Sequence, residues 1–185
     1  MRSVLAGIAA AVLCANAAAA APTAAPWQTY RYPDLGLAVD MPAAPARSSS
    51  TVPITADHSI SITSLTVPLG TTGALFVGVT DYAGLGLTKA MSADPAVQAK
   101  VLEGGVQGSL AKSGSELISE TNITVNGAPG RDYTFKSKTG EVVGRAWMVL
   151  YGARGYTVVG AGAAAGGVPT EFDRVAHSLA LSEVK

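Results

Sequence analysis

The sequence predicts an α+β domain: an antiparallel β-sheet of about 6–8 strands flanked by two main helices. Three observations point to it. Segments of alternating apolar and polar residues recur along the chain, separated by turns too short for a parallel crossover. Four of them follow one another in the C-terminal half as a meander. Two stretches with helical spacing, one from Asp94 and one from Pro169, lie before and after that meander rather than between its strands.

The composition can support such a core. Of 185 residues, 48% are hydrophobic and 14% charged, which fits one globular domain and argues against global disorder. Lys+Arg and Asp+Glu number 13 each, and loss of Arg2 with a leader would leave 12 against 13. A chain so near neutrality lacks the electrostatic footprint that nucleic acid or anionic lipid requires, so no nucleic-acid partner is expected.

The N-terminus has the pattern of a cleavable secretory signal peptide of bacterial type. Arg2 supplies the positive start, Val4–Leu13 the apolar stretch, and Ala17–Ala21 several A-x-A cleavage frames. Cleavage near Ala20 makes 1–20 the leader, 21–26 an Ala/Pro linker and 27–185 a single domain, periplasmic or secreted. Cys14, the one cysteine, lies in the leader behind Leu13, where a lipoprotein signal would need a small residue. The mature chain would therefore hold neither disulfides nor thiol chemistry, and no other stretch is apolar enough to span a membrane.

Taken in order, Trp27–Tyr32 and Leu35–Met41 flank the turn pair Pro33-Asp34 and form a first hairpin. Ala43–Ala56 is polar and Pro-dotted without periodicity, which predicts a long loop. Ser59–Val67 and Leu75–Tyr82 make a second antiparallel pair. Asp94 as N-cap and Pro95 at the first helical position open the first helix. Ala99, Leu102, Val106, Ser109 and Leu110 share one face, with Gly104, Gly105 and Gly108 expected opposite. The glycines weaken helix propensity by about 1 kcal/mol each, so this helix must depend on packing.

Leu117–Val125 alternates and ends at Asn126-Gly127, the pair that best suits a tight hairpin with φ > 0. On the following strand Arg131, Tyr133 and Phe135 share a face. Val142–Tyr151 is apolar on both faces, which places it inside the sheet with cover on each side. Tyr156–Ala161 completes the meander. A closing helix from Pro169 carries Phe172, Val175, Ala176 and Leu179 on one stripe.

From the first helix onward the chain resembles exported bacterial proteins of the PsbP-like fold, many of unknown function. The pattern is a glycine-containing helix (VLEGGVQGSLAKSG), the strand ISETNITV, then NGAPGRDY. A hairpin with an internal arginine (GEVVGRAWMVLYGARGYTVVG) and an amphipathic helix (FDRVAHSLAL) follow. Trp27, Tyr30, Pro33, Gly36 and Pro42 extend the likeness to most of Trp27–Leu181; Ala83–Ala93 does not align. The resemblance implies an antiparallel sheet with helices on both faces, in domains that act as binding or assembly modules. It transfers no catalytic or metal residue.

Candidate chemistry is sparse. Ser109-Leu-Ala-Lys112 and Lys138-Thr139-Gly140 match fragments of serine β-lactamase signatures, but Ser109 lies on the apolar helix face and Lys138–Gly140 is a natural turn. Gly160-Ala-Gly162 with Gly166-Gly167 echoes a dinucleotide fingerprint, yet the chain ends before a second parallel strand. His58 and His177 lie far apart without clustered carboxylates, so no metal site and no cofactor are expected. Asn122-Ile-Thr124 has the form of a glycosylation sequon, which the bacterial-type leader discounts. The remaining candidates are Arg131, Arg145, Trp147, Tyr151 and Tyr156. If the strand register brings them together, they form an arginine- and aromatic-lined ligand or partner patch. If not, an arginine stacked over aromatics is part of the architecture.

The expected function is an exported, non-enzymatic binding or assembly module of the bacterial envelope, meeting an unknown protein or small-molecule partner by one sheet face or by Ala43–Ala56. The alternative is a small periplasmic hydrolase or ligand-modifying enzyme using the Arg145 patch with a serine or a carboxylate such as Asp132, which requires a deep pocket at Arg145.

Overall fold

The computed structural model describes residues 26–54 and 57–184. The expected leader, and all of the expected linker but Pro26, lie outside them. The described residues form two antiparallel sheets and two α-helices. Strands β1 (Gln28–Tyr32) and β2 (Leu37–Met41) make the first hairpin, whose turn is closed by the Leu35 amide donating to the Tyr32 carbonyl at 3.0 Å. A short last strand, β10 (Ala180–Leu181), joins the other edge of β2, giving the order β1-β2-β10.

The larger sheet contains β3 (Ala46–Pro53), β4 (Ser59–Pro68), β5 (Ala74–Asp81), β6 (Ser115–Val125), β7 (Ala128–Ser137), β8 (Val142–Tyr151) and β9 (Arg154–Ala163). Its order is β3-β4-β5-β9-β8-β7-β6, and every pairing is antiparallel. The expected meander is the run β9-β8-β7-β6. Asn126 and Gly127 turn the chain between β6 and β7 with φ of 49° and 78°, the left-handed values that a two-residue hairpin needs. As its two apolar faces require, β8 lies inside the sheet.

The expected loop Ala43–Ala56 is corrected: Ala46–Pro53 is an edge strand paired along its length with β4, while Thr55 and Ala56 lie outside the described residues. Periodicity could not reveal it, because the side chains of Ala46–Thr51 are exposed on both faces and nothing selects apolar residues at alternate positions.

Helix α1 (Pro95–Ser113) begins at the expected cap, with the Ala96 amide donating to Asp94 Oδ1 at 2.7 Å, and stops at Gly114 with φ 62°. Its glycines do not all face away from the sheet. Gly105 lies so close to the Met148 thioether that a Cβ there would collide with it, and Gly108 is buried. Gly105 lets the helix backbone approach β8, a use of glycine that offsets its propensity cost. Helix α2 spans Phe172–Ser178, three residues later than the expected start, because Pro169 lies in the preceding turn, where the Phe172 amide donates to the Pro169 carbonyl.

The large sheet divides the hydrophobic interior into two cores. On one face Leu65, Val67, Leu75, Val77, Trp147, Val149 and Val158 pack against Leu37, Val39 and Met41 of the small sheet and Phe172, Val175 and Ala176 of α2. On the other, Tyr133, Ala146, Met148 and Leu150 pack against Leu102, Val106 and Leu110 of α1. Helix α1 rests on β6, β7 and β8, so this second cover spans only part of the sheet.

Candidate functional site

The register decides what becomes of the five candidate residues. Arg131 is opposite Met148, whereas Asp132 is opposite Trp147 and Thr134 opposite Arg145. Residues opposite one another share a face. Arg131 therefore lies on the α1 face with Tyr133 and Met148. Arg145, Trp147 and Tyr151 lie on the α2 face, and Tyr156 joins them through its pairing with Val149. The five do not form one patch.

Arg145 is held from three directions. Its Nε donates to Asp132 Oδ1 at 2.9 Å and its Nη2 to Asp132 Oδ2 at 2.6 Å, a two-pronged grip on one carboxylate. Its Nη1 donates to Asp173 Oδ1 of α2 at 2.9 Å. The guanidinium stands 5.2 Å from the centroid of the Phe172 ring. The Asp132 hydrogen bonds raise the already high Arg145 pKa, so the group is a permanent cation. Its charge is matched within the protein, and Asp132, the carboxylate considered as a base, is its partner.

The aromatic residues beside it are structural. Trp147 is buried, with its ring edge-on to Phe172 at 6.5 Å and to His177 at 4.9 Å between centroids. Its Nε1 has no hydrogen-bond partner among the described residues. The Tyr156 hydroxyl donates to the Leu35 carbonyl at 2.9 Å, tying the two sheets together. Tyr151, half-buried, packs against the same core. His177 Nδ1 lies 2.7 Å from the Asp173 carbonyl one helical turn back.

On the opposite face, Arg131 Nε lies 3.1 Å from Glu120 Oε1 in an ion pair without hydrogen-bond geometry, and this nitrogen is buried with no hydrogen-bond partner among the described residues. This pair forms part of an open groove of about 550 Å³ between α1 and β6–β7, lined by Glu103, Gln107, Glu120, Thr121, Asn122 and Arg131. The sequence singled out Arg131 but had no means of pairing it with α1.

The other motifs have local roles. The Ser109 hydroxyl is buried and accepts from Tyr133 at 3.3 Å, while Lys112 is exposed. Lys138–Gly140 forms the β7–β8 turn, with Gly140 at φ 75°. Gly160 and Gly162 are strand residues of β9. His58 Nδ1 lies 3.1 Å from the Gly84 carbonyl, and Asn122–Thr124 belongs to edge strand β6. No three His, Cys, Asp or Glu side chains gather in metal-binding geometry among the described residues. No helix among them is long and apolar enough to cross a membrane.

A surface that no motif signalled lies on the α1 face beyond the helix. Pairing places Phe76 of β5 beside Val159 of β9, and Ala74 beside Ala161; the row continues through Gly144 and Phe135 to Leu117 on β6. Phe76, Val159, Ala74, Ala161 and Phe135 are each half-buried, and Leu117 is exposed. Their strands were readable from the sequence. Their partial exposure was not, because it depends on a sheet wider than the one helix laid over it.

No protein-family model and no curated protein matches the sequence. Solved structures of similar arrangement exist. The cyanobacterial PsbP protein CyanoP from Synechocystis sp. PCC 6803 is similar at a TM-score of 0.48 and 12% identity, over 90% of this chain and 98% of that one. A protein of unknown function from Pseudomonas aeruginosa is similar at a TM-score of 0.38 and 12% identity, over 76% of this chain and 85% of that one. The α+β architecture itself stands on the strand pairings and the two helices described above.

Proposed function

We propose that the protein is an exported, non-enzymatic binding or assembly module of the bacterial envelope, which meets its partner with the partly exposed strip of the large sheet beside α1, around Phe76 and Ala161. The observation that carries this is the apolar row through Phe76, Val159, Ala74 and Ala161, half-exposed and without a charged side chain among them. Apolar surface arranged contiguously on a rigid sheet is what protein partners cover. Export is supported by Arg2, the Val4–Leu13 apolar stretch and the A-x-A frames. The enzymatic alternative needs a deep pocket at Arg145 with its guanidinium free for a substrate, whereas this guanidinium is engaged by Asp132 and Asp173.

Native mass spectrometry of the protein recovered from its host's envelope tests the proposal. A chain beginning near Ala21, carried in a complex with another protein, is the expected result. A chain retaining Met1 overturns export with cleavage. A mature chain that retains only a small molecule and turns over an envelope substrate overturns the non-enzymatic assignment.

A further inference from the structure

The two edges of the large sheet are built differently. Strand β6 carries Glu116 and Glu120 and is bulged between Leu117 and Ser119, features that discourage another strand from pairing with an edge. Strand β3 has neither a bulge nor a lysine. Its eight residues hold unbroken register with β4, and all are exposed except half-buried Val52. Its one charge, Arg47, is tied to Asp34 at 2.5 Å. Among the described residues, no backbone–backbone hydrogen bond outside the strand ladders ends on Ala46–Val52. The outward N–H and C=O groups of β3 are therefore available to a further strand.

We propose that β3 pairs antiparallel with β3 of a second copy of this chain, about a two-fold axis perpendicular to the sheet. Such an axis keeps each sheet face on its own side, so residues opposite one another must share a face. With the axis at Ser49, Ser48 lies opposite Ser50 of the second copy and Arg47 opposite Thr51. No like charges meet, and the short hydroxyl side chains can hydrogen-bond across the seam. The formal net charge of zero opposes no such approach. Strand β3 offers no pocket or free charge that would select a foreign strand, whereas its own sequence is self-complementary. Pro45 and Pro53 bracket the seam and keep it short. A contact of that size buries little area, so the dimer is weak and dependent on concentration.

Sedimentation equilibrium on protein purified from cells expressing the full chain, from about 5 µM to 1 mM, tests this independently of the sheet-face proposal. The expected result is a mass rising from one chain towards two. Ser48→Lys with Ser50→Lys sets lysines against each other whether the axis passes through Ser49 or Ser50, and should weaken association about tenfold. Ser48→Lys with Ser50→Glu pairs opposite charges about Ser49 and should strengthen it. Both positions are exposed, so circular dichroism should remain unchanged. Thr121→Lys on β6 should leave association unaltered. A single-chain mass throughout the range, or a dimer indifferent to both β3 variants, overturns the proposal. Phe76→Glu should leave the dimer intact, which separates this seam from the partner surface.

Discussion

Asp132 accepts two hydrogen bonds from Arg145 across the β7–β8 pair, at 2.9 and 2.6 Å, with its carboxylate only 14% exposed. An arginine that could have served as an anion receptor is thereby consumed in joining two strands to α2. Arg145→Ala should cost about 2–3 kcal/mol, because it leaves a mostly buried carboxylate without its counter-charge. Asp173→Ala, which removes a partner that is 64% exposed, should change stability by less than about 0.5 kcal/mol. Urea unfolding of the two variants checks the contrast. Equal costs would mean that Asp132 is not the principal partner.

Tyr133 provides a pH test. Burial is the leading cause that pushes its hydroxyl pKa up to about 12, with its hydrogen bond to Ser109 a smaller opposing effect. A phenol whose folded pKa is raised contributes its full stability below the unfolded value of about 10, and loses it as pH climbs through the folded value. Stability should therefore hold to about pH 9 and fall by about 2–3 kcal/mol between roughly pH 10 and 12 on this account alone. Burial raises Tyr82 and Tyr156 in the same direction. Tyr133→Phe should make the alkaline decline shallower, and thermal melts across the range would show it.

Gly105 tests the contact between α1 and β8. A Cβ at this position meets the flexible end of Met148, so Gly105→Ala should be close to neutral: a helix-propensity gain of about 1 kcal/mol offset by movement of the thioether. Gly105→Val adds branching that Met148 cannot evade and should cost about 1–3 kcal/mol. Denaturant midpoints for the pair check this. A stabilising valine would mean that the helix lies farther from the sheet than its packing implies.

Much of the architecture was legible because the cues were local. Asn126-Gly127 specified its hairpin, Asp94-Pro95 its helix start, and the two-faced apolarity of Val142–Tyr151 its place inside the sheet. What escaped the sequence depends on tertiary context. Strand β3 has no buried face to impose alternation, and Gly105 reads only as a cost to helix propensity until Met148 is brought against it. The candidate patch failed to assemble for a related reason. Alternation shows which residues share a face within one strand, but only the offset between β7 and β8 separates Arg131 from Arg145. The partly exposed row around Phe76 was hidden because exposure of a sheet face depends on how many strands one helix spans.

Site-specific photo-crosslinking in living host cells, with the photoreactive side chain at Phe76 or Val159 on the open sheet face and at Asp173 on α2, tests the central claim most directly. The account predicts a discrete protein adduct from Phe76 and Val159, lost when Ala161→Glu places a charge in the same row, and none from Asp173. Silence at Phe76 and Val159, or an equal adduct from Asp173, would contradict it.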